Sequence, residues 1–149
     1  MKTEYKIISD IIDKSSRVLD VGCDDGALME YLKQNKDVNI RGIEISKEKV
    51  QTCISKGLTV LEGNAELDLK QFPNKSFDYV VLGQTLQAFV NPEIVIKELL
   101  RVGKKDSETV AALDDDNIIR DLSSHIKDLN PKTINEETLN KLTRINLKD

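Results

Sequence analysis

The segment Arg17-Val-Leu-Asp-Val-Gly-Cys-Asp-Asp-Gly26, followed by Gly42-Ile-Glu44, constrains the fold more than any other feature of the chain. Val18-Leu-Asp-Val21 is a short β-branched run of the kind found in central strands of parallel sheets. A glycine-punctuated turn, a helical stretch and a second apolar run ending in a carboxylate then follow. This order is the front of a nucleotide-binding βαβ unit, with Glu44 placed to accept from both hydroxyls of a ribose and to repel an NADP-type phosphate. Gly22 lets the backbone bend and approach a ligand without a Cβ in the way. Gly26 allows close passage into a helix whose first amides can receive an anionic group. Asp20, at the strand end, is suited to accept from an ammonium group or to buttress the turn. The turn reads D-x-G-x-D-x-G, so Asp24 stands where a third glycine is expected. Aspartate tolerates unusual backbone angles, but its bulk and charge beside the pocket work against binding. A glycine turn that holds no ligand is the bland alternative.

Periodicity predicts the surrounding elements. Tyr5, Ile8, Ile11 and Ile12 fall at helical spacing, and Leu28, Tyr31 and Leu32 give a second helix one apolar face. Strand two is expected over 39–45, a helix over 47–56 stopped by Gly57, strand three over 58–61 and strand four over 77–82. Pro92 suits the first position of a helix running to about Val102. Strands alternating with helices imply right-handed crossovers and a parallel sheet covered on both faces. After strand three, Gly63-Asn64-Ala65-Glu66 is placed to meet an adenine edge, with Asn64 able to donate and accept. After strand four comes Gly83-Gln84-Thr85-Leu86, where a methyl donor and its acceptor would meet; Gln84 and Gln87 read equally well as solvated loop polars. The expectation is an S-adenosylmethionine (SAM) pocket with Asp20, Gly22, Cys23, Asp24 and Gly26 on the turn. Glu44, Ile45, Asn64, Ala65 and Gln84 complete it from the later strand ends.

Composition narrows the function classes. A net charge of −4 over 149 residues argues against a nucleic-acid backbone partner. Two cysteines, Cys23 and Cys53, lie in no zinc or redox spacing and read as small buried hydrophobes of a reducing cytoplasm. No apolar run reaches membrane-span length and Met1-Lys-Thr-Glu opens no apolar signal core, which predicts a soluble cytoplasmic protein. His125 is the sole histidine, so one chain cannot build a histidine triad or a multi-histidine metal site, and no metal is expected. Asp114-Asp115-Asp116 lacks EF-hand spacing and reads as a solvated turn.

At Arg17-Val-Leu-Asp-Val-Gly-Cys, Gly42-Ile-Glu-Ile, Phe77-Asp-Tyr-Val-Val-Leu, Gln84-Thr-Leu-Gln-Ala88 and Leu100-Arg-Val-Gly103 the chain resembles the methionine biosynthesis protein W (MetW) family of class I SAM-dependent methyltransferases. The resemblance implies an α/β, Rossmann-like class I methyltransferase sheet binding SAM or S-adenosylhomocysteine, and a tie to methionine biosynthesis beside a homoserine O-acyltransferase. Asp20, Gly22, Gly26, Glu44 and Gln84 match that pattern; Asp24 departs from the family's glycine, and Asn64 stands where an acid is common.

The chain therefore divides into a methyltransferase-like domain over 1–103 and an atypical extension over 104–149. The family's fifth strand and its last two strands are expected to be missing, leaving the sheet truncated or altered. Lys104 to Glu108 reads as a linker, and residues 109–113 and 118–122 as a hairpin, with a helix over 118–129 as the rival and a last helix capped by Asn135. From about residue 100 the chain is also similar to the amino-terminal segment of fumarylacetoacetate hydrolase-family proteins, which suggests a chimera but no hydrolase activity. A bare sheet edge would need covering by the hairpin, by helices or by a homodimer. Without the family's acceptor region, cofactor binding with weak or no turnover is expected.

Overall fold

The computed structural model describes residues 3–82, 89–114 and 117–119, with side chains from 5–82 and 89–104. Elements follow in the order α1 (Thr3–Ile11), β1 (Arg17–Val21), α2 (Ala27–Lys36), β2 (Asn39–Glu44), α3 (Lys47–Ser55), β3 (Thr59–Glu62) and α4 (Ala65–Asp68). A 3-10 turn (Leu69–Gln71), β4 (Phe77–Leu82), α5 (Pro92–Val102), β5 (Gly103–Asp114) and β6 (Asn117–Ile119) complete them. Local chemistry sets these boundaries. Ser46 caps α3 by accepting from the Lys49 amide, and Asn64 caps α4 through the Glu66 amide. Gly57 (φ 80°) follows α3, and Pro92 opens α5.

The strands lie in the order β3-β2-β1-β4-β5-β6, with the first five parallel and β6 antiparallel to β5. The chain winds outward from β1 to β3, then returns to place β4 on the other side of β1. The switch point, and with it the ligand crevice, therefore falls at the carboxyl ends of the central strands. Side-chain alternation covers both faces. Leu19, Val21, Ile43, Val80 and Leu82 pack under α5 and the 3-10 turn, against Leu69, Val95, Ile96 and Leu99. Val18, Ile40, Tyr79 and Val81 face α1 to α3, against Ile8, Ile12, Met29, Leu32 and Cys53. Among the described residues no helix is long and apolar enough to cross a membrane.

The region after α5 corrects the sequence reading. A fifth parallel strand is present, pairing Val80, Val81 and Leu82 with Thr109, Val110 and Ala111. The charged run at 104–108 is part of this strand rather than a linker. It is accommodated as an irregularity: Phe77 faces Gly103 while Tyr79 faces Glu108, so two steps along β4 match five along β5. The hairpin reading holds for Ile118 and Ile119, which pair back on Ala112 and Ala111, and the rival helix does not start at Ile118. The remainder of 120–149, with His125 and the helix expected after Asn135, lies outside the described residues.

Two glycines with positive φ give a stability test. A Cβ on Gly26 (φ 86°) would lie 2.4 Å from Leu58 Cδ1 and 3.0 Å from Cys53 Sγ, whereas one on Gly57 meets nothing within 4 Å. Urea melts should show Gly26→Ala costing about 2–4 kcal/mol, from overpacking added to backbone strain, and Gly57→Ala about 1–2 kcal/mol from strain alone.

Candidate functional site

The crevice is organised by Glu44, the last residue of β2, whose side chain is only 6% exposed. A buried carboxylate needs donors, and two backbone amides supply them. The Asp24 N–H donates to Oε1 at 2.8 Å and the Ser46 N–H to Oε2 at 2.9 Å. The Gly22 and Cys23 amides donate to the Ile43 carbonyl at 2.9 and 3.2 Å, so the turn after β1 is sewn to the end of β2. Gly22 (φ 76°), Asp24 (φ 55°) and Gly26 (φ 86°) all occupy the left-handed region that this path requires. Asp24 adopts it as the one non-glycine of the three, and its carboxylate pairs with Lys49 of α3. Lys56 donates to the Asp25 carbonyl at 2.9 Å and pairs with Glu30 at 3.1 Å. Helix α3 and its C-cap Lys56 thus supply the cations that compensate this acid-rich turn.

Beside the turn lies a cleft of about 260 Å³, lined by Gly22, Ile43, Ile45, Gly63, Asn64, Ala65, Glu66, Phe89 and Val90. Of the residues singled out from the sequence, Gly22, Ile45, Gly63, Asn64, Ala65 and Glu66 form its surface, and Glu44, the last residue of β2, lies between the lining residues Ile43 and Ile45. Asp20, Cys23, Asp24 and Gly26 support the turn and do not line the cleft; Gln84 lies outside the described residues. Cys23 and Cys53 are both buried and pack against glycines: a Cβ on Gly42 would lie 2.7 Å from Cys23 Sγ. Burial pushes both thiols up, as befits inert packing groups.

Sequence reading missed the wall formed by Phe89 and Val90, and what holds it. The Glu66 carboxylate accepts from the Val90 and Asn91 amides at 2.8 and 2.9 Å, tying the start of α5 to the Asn64 loop. Asn91 makes no capping bond with its own side chain, so Glu66 supplies donors' partners that the helix entry lacks. The visible signal was the apolar pair Phe89-Val90 directly before Asn91-Pro92.

Asp20, 2% exposed near the end of β1, makes no side-chain hydrogen bond among the described residues. Burial, then the neighbouring Glu44 and Asp24, raise its pKa to about 7. An unfolded aspartate titrates near 3.9, so between pH ~4 and ~7 the folded chain keeps a proton that the unfolded chain releases. Stability from this group therefore falls as pH rises, and the full penalty is present above pH ~7. Asp20→Asn should raise stability at pH 8 by on the order of 2–4 kcal/mol, with the gain vanishing towards pH 4 in paired thermal melts. For the loop clasp, Glu66→Ala should accelerate amide exchange at Val90 and Asn91 about tenfold or more, leaving β1 amides unchanged.

Comparison with known proteins agrees with this geometry. The sequence profile of the family described as "Methionine biosynthesis protein MetW" matches residues 2–113, running past Gly103 into β5. The chain is 30% identical over 112 residues to the bifunctional methionine biosynthesis protein MetXA/MetW of Rhodopirellula baltica, covering 70% of this chain and 18% of that protein. It spans less than half the length of the curated relatives it matches. Among solved structures, a SAM-dependent methyltransferase from Archaeoglobus fulgidus superposes with a TM-score of 0.68 at 21% identity, over 93% of this chain and 63% of that one. The [4+2]-cyclase SpnF superposes at 0.65 with 24% identity, over 72% of this chain and 43% of its own, so the fold serves more than one chemistry. With the family profile covering the turn, the sheet and the cleft, this chain belongs to the MetW family.

Proposed function

We propose that the chain binds SAM or S-adenosylhomocysteine in the cleft at the strand ends, with weak or no methyl transfer. The observation that carries this reading is the buried Glu44 carboxylate, held rigid by two amides at the end of β2. Each carboxylate oxygen accepts about two hydrogen bonds and the amides use one apiece, so one position per oxygen is left for the two ribose hydroxyls. Asn64 spends its Oδ1 on the Glu66 amide and keeps its NH2 group for an adenine edge. Ile43, Ile45, Ala65 and Phe89 offer apolar walls for the base. Asp20, buried with no side-chain hydrogen bond among the described residues, suits a cationic amino group, whose charge would favour release of the Asp20 proton to solvent. When bound, SAM supplies a methyl group activated by its sulfonium. The residues present fit that group.

Weak turnover is supported by what the cleft offers for activating an acceptor. Glu66 is the one titratable residue in its described lining, and its carboxylate is already engaged in holding the Val90 and Asn91 amides. A second reading, a non-catalytic SAM sensor that partners a homoserine O-acyltransferase in the cytoplasm, is favoured by the Rhodopirellula relative that carries MetXA and MetW in one chain.

Calorimetric titration with SAM and S-adenosylhomocysteine tests the binding. Wild type should bind at micromolar concentration, and Glu44→Ala should lose about 30-fold or more, as two hydrogen bonds to a charged group disappear. Because Glu44 also clasps the turn, the variant's melting curve is recorded alongside. No binding by the wild type overturns the proposal, and methyl transfer to a defined metabolite at about 1 per second or faster overturns the weak turnover.

A further inference from the structure

A second cleft, of about 220 Å³, opens at the opposite end of the sheet. Arg17 begins β1, while Asn39 and Arg41 lie on β2; the register sets Arg17 opposite Asn39 and Leu19 opposite Arg41. Strand alternation puts Arg17 on the same face as Leu19. Asn39 and Arg41 share that face with Ile43, so the two arginines are diagonal neighbours. Phe72 and Ser76, from the segment before β4, form the opposing wall.

That wall is built rather than incidental. The Arg101 guanidinium of α5 donates to the carbonyls of Phe72 (2.8 Å) and Leu69 (2.9 Å) and to Asn74 Oδ1 (2.7 Å). The Lys75 and Ser76 amides donate back to the carbonyls of Arg101 and Val102 at 2.9 and 2.7 Å. Five hydrogen bonds therefore fix the loop before anything binds there.

The charge balance is unusual for a chain of net charge −4. Asp78 accepts from Arg17 through its backbone N–H at 2.8 Å and its Nε at 3.3 Å, and pairs with Lys104 at 2.9 Å. These contacts hold the Asp78 carboxyl well below the usual range, so it stays ionised and already satisfied. The side chain of Arg41, an exposed residue of β2, makes no hydrogen bond or ion pair with any described residue, although acids outnumber bases in the chain. Its planar five-donor fork matches carboxylate or phosphate geometry, and an apolar ligand would leave those donors unused.

We propose that this cleft is an anion site, separate from the cofactor cleft, which takes a small phosphoryl or carboxylate group on Arg41 with Arg17 and Asn39 beside it.

Amide NMR titration with inorganic phosphate, exchanged against chloride at constant ionic strength, tests this. Saturable shifts should centre on Asn39, Arg41 and Ser76. Arg41→Gln, an exposed substitution that should leave the melting temperature unchanged, should weaken binding about fivefold or more. Lys33→Gln, on α2, serves as the control and should bind as wild type does. A parallel titration with acetate assigns the chemistry: tighter phosphate binding favours a phosphoryl ligand, and equal or tighter acetate binding a carboxylate. Shifts that grow linearly without saturating, or equal binding by Arg41→Gln, would overturn the site. So would shifts centred on Gly22 and Asn64 that S-adenosylhomocysteine abolishes, which would put the anion in the cofactor cleft.

Discussion

One carboxylate holds the working end of this molecule together. Glu44 joins the turn after β1 to the entry of α3 by accepting from Asp24 and Ser46. A buried carboxylate without donors would be strongly unfavourable, so the amides and the acid require each other. Once they meet, the path of the turn is determined: the Gly22 and Cys23 amides fall on the Ile43 carbonyl, and Gly26 is pressed against Leu58 and Cys53. The same carboxylate is thus a fold-closing acceptor and, in the proposed function, the group that meets a ribose. On that proposal, stability and cofactor recognition would be tied at a single side chain.

Asp24 shows how the turn absorbs a departure from the family's glycine. The left-handed backbone is kept at φ 55°, and the charge is carried outward to Lys49. An exposed ion pair of this kind adds little stability, about 0–1 kcal/mol. Its greater effect is directional, since a carboxylate held on α3 is not turned into the cleft. The bulk expected to obstruct the pocket therefore lies elsewhere, and Asp24 contributes its amide to Glu44 as a glycine would.

The βαβ front was legible because its chemistry is local. Strand periodicity, the glycines and the terminal carboxylate sit within a short span, and the boundaries of β1 to β4, α2, α3 and α5 follow the apolar pattern within a residue or two, whereas the short α4 and the 3-10 turn gave no such signal. Strand β5 was legible only in its second half, 109–113, since Lys104 to Glu108 carries the charge density of a loop and hydropathy cannot register residues carried by a bulge. Glu66 was missed for a different reason. Its partners Val90 and Asn91 are 24 and 25 residues away, and only the fold makes them neighbours. Arg41 looks like any solvated strand cation until the register places it beside Arg17 and under the Phe72 wall.

Asp20 and Glu44 are both buried carboxyl groups at neighbouring strand ends, and their surroundings divide them. Glu44 has two amide donors; Asp20 has none among the described residues and is pushed up to about 7. Burial, with Glu44 and Asp24 nearby, disfavours the charged form of Asp20, which lacks donors and so keeps its proton up to about pH 7. The apo pocket therefore carries less negative charge than its sequence of acids suggests. A cation arriving beside Asp20 would meet a proton before it met a carboxylate, and its binding would release that proton near neutral pH. If the proposed cofactor seats its amino group beside Asp20, its binding and the release of that proton become two sides of one equilibrium.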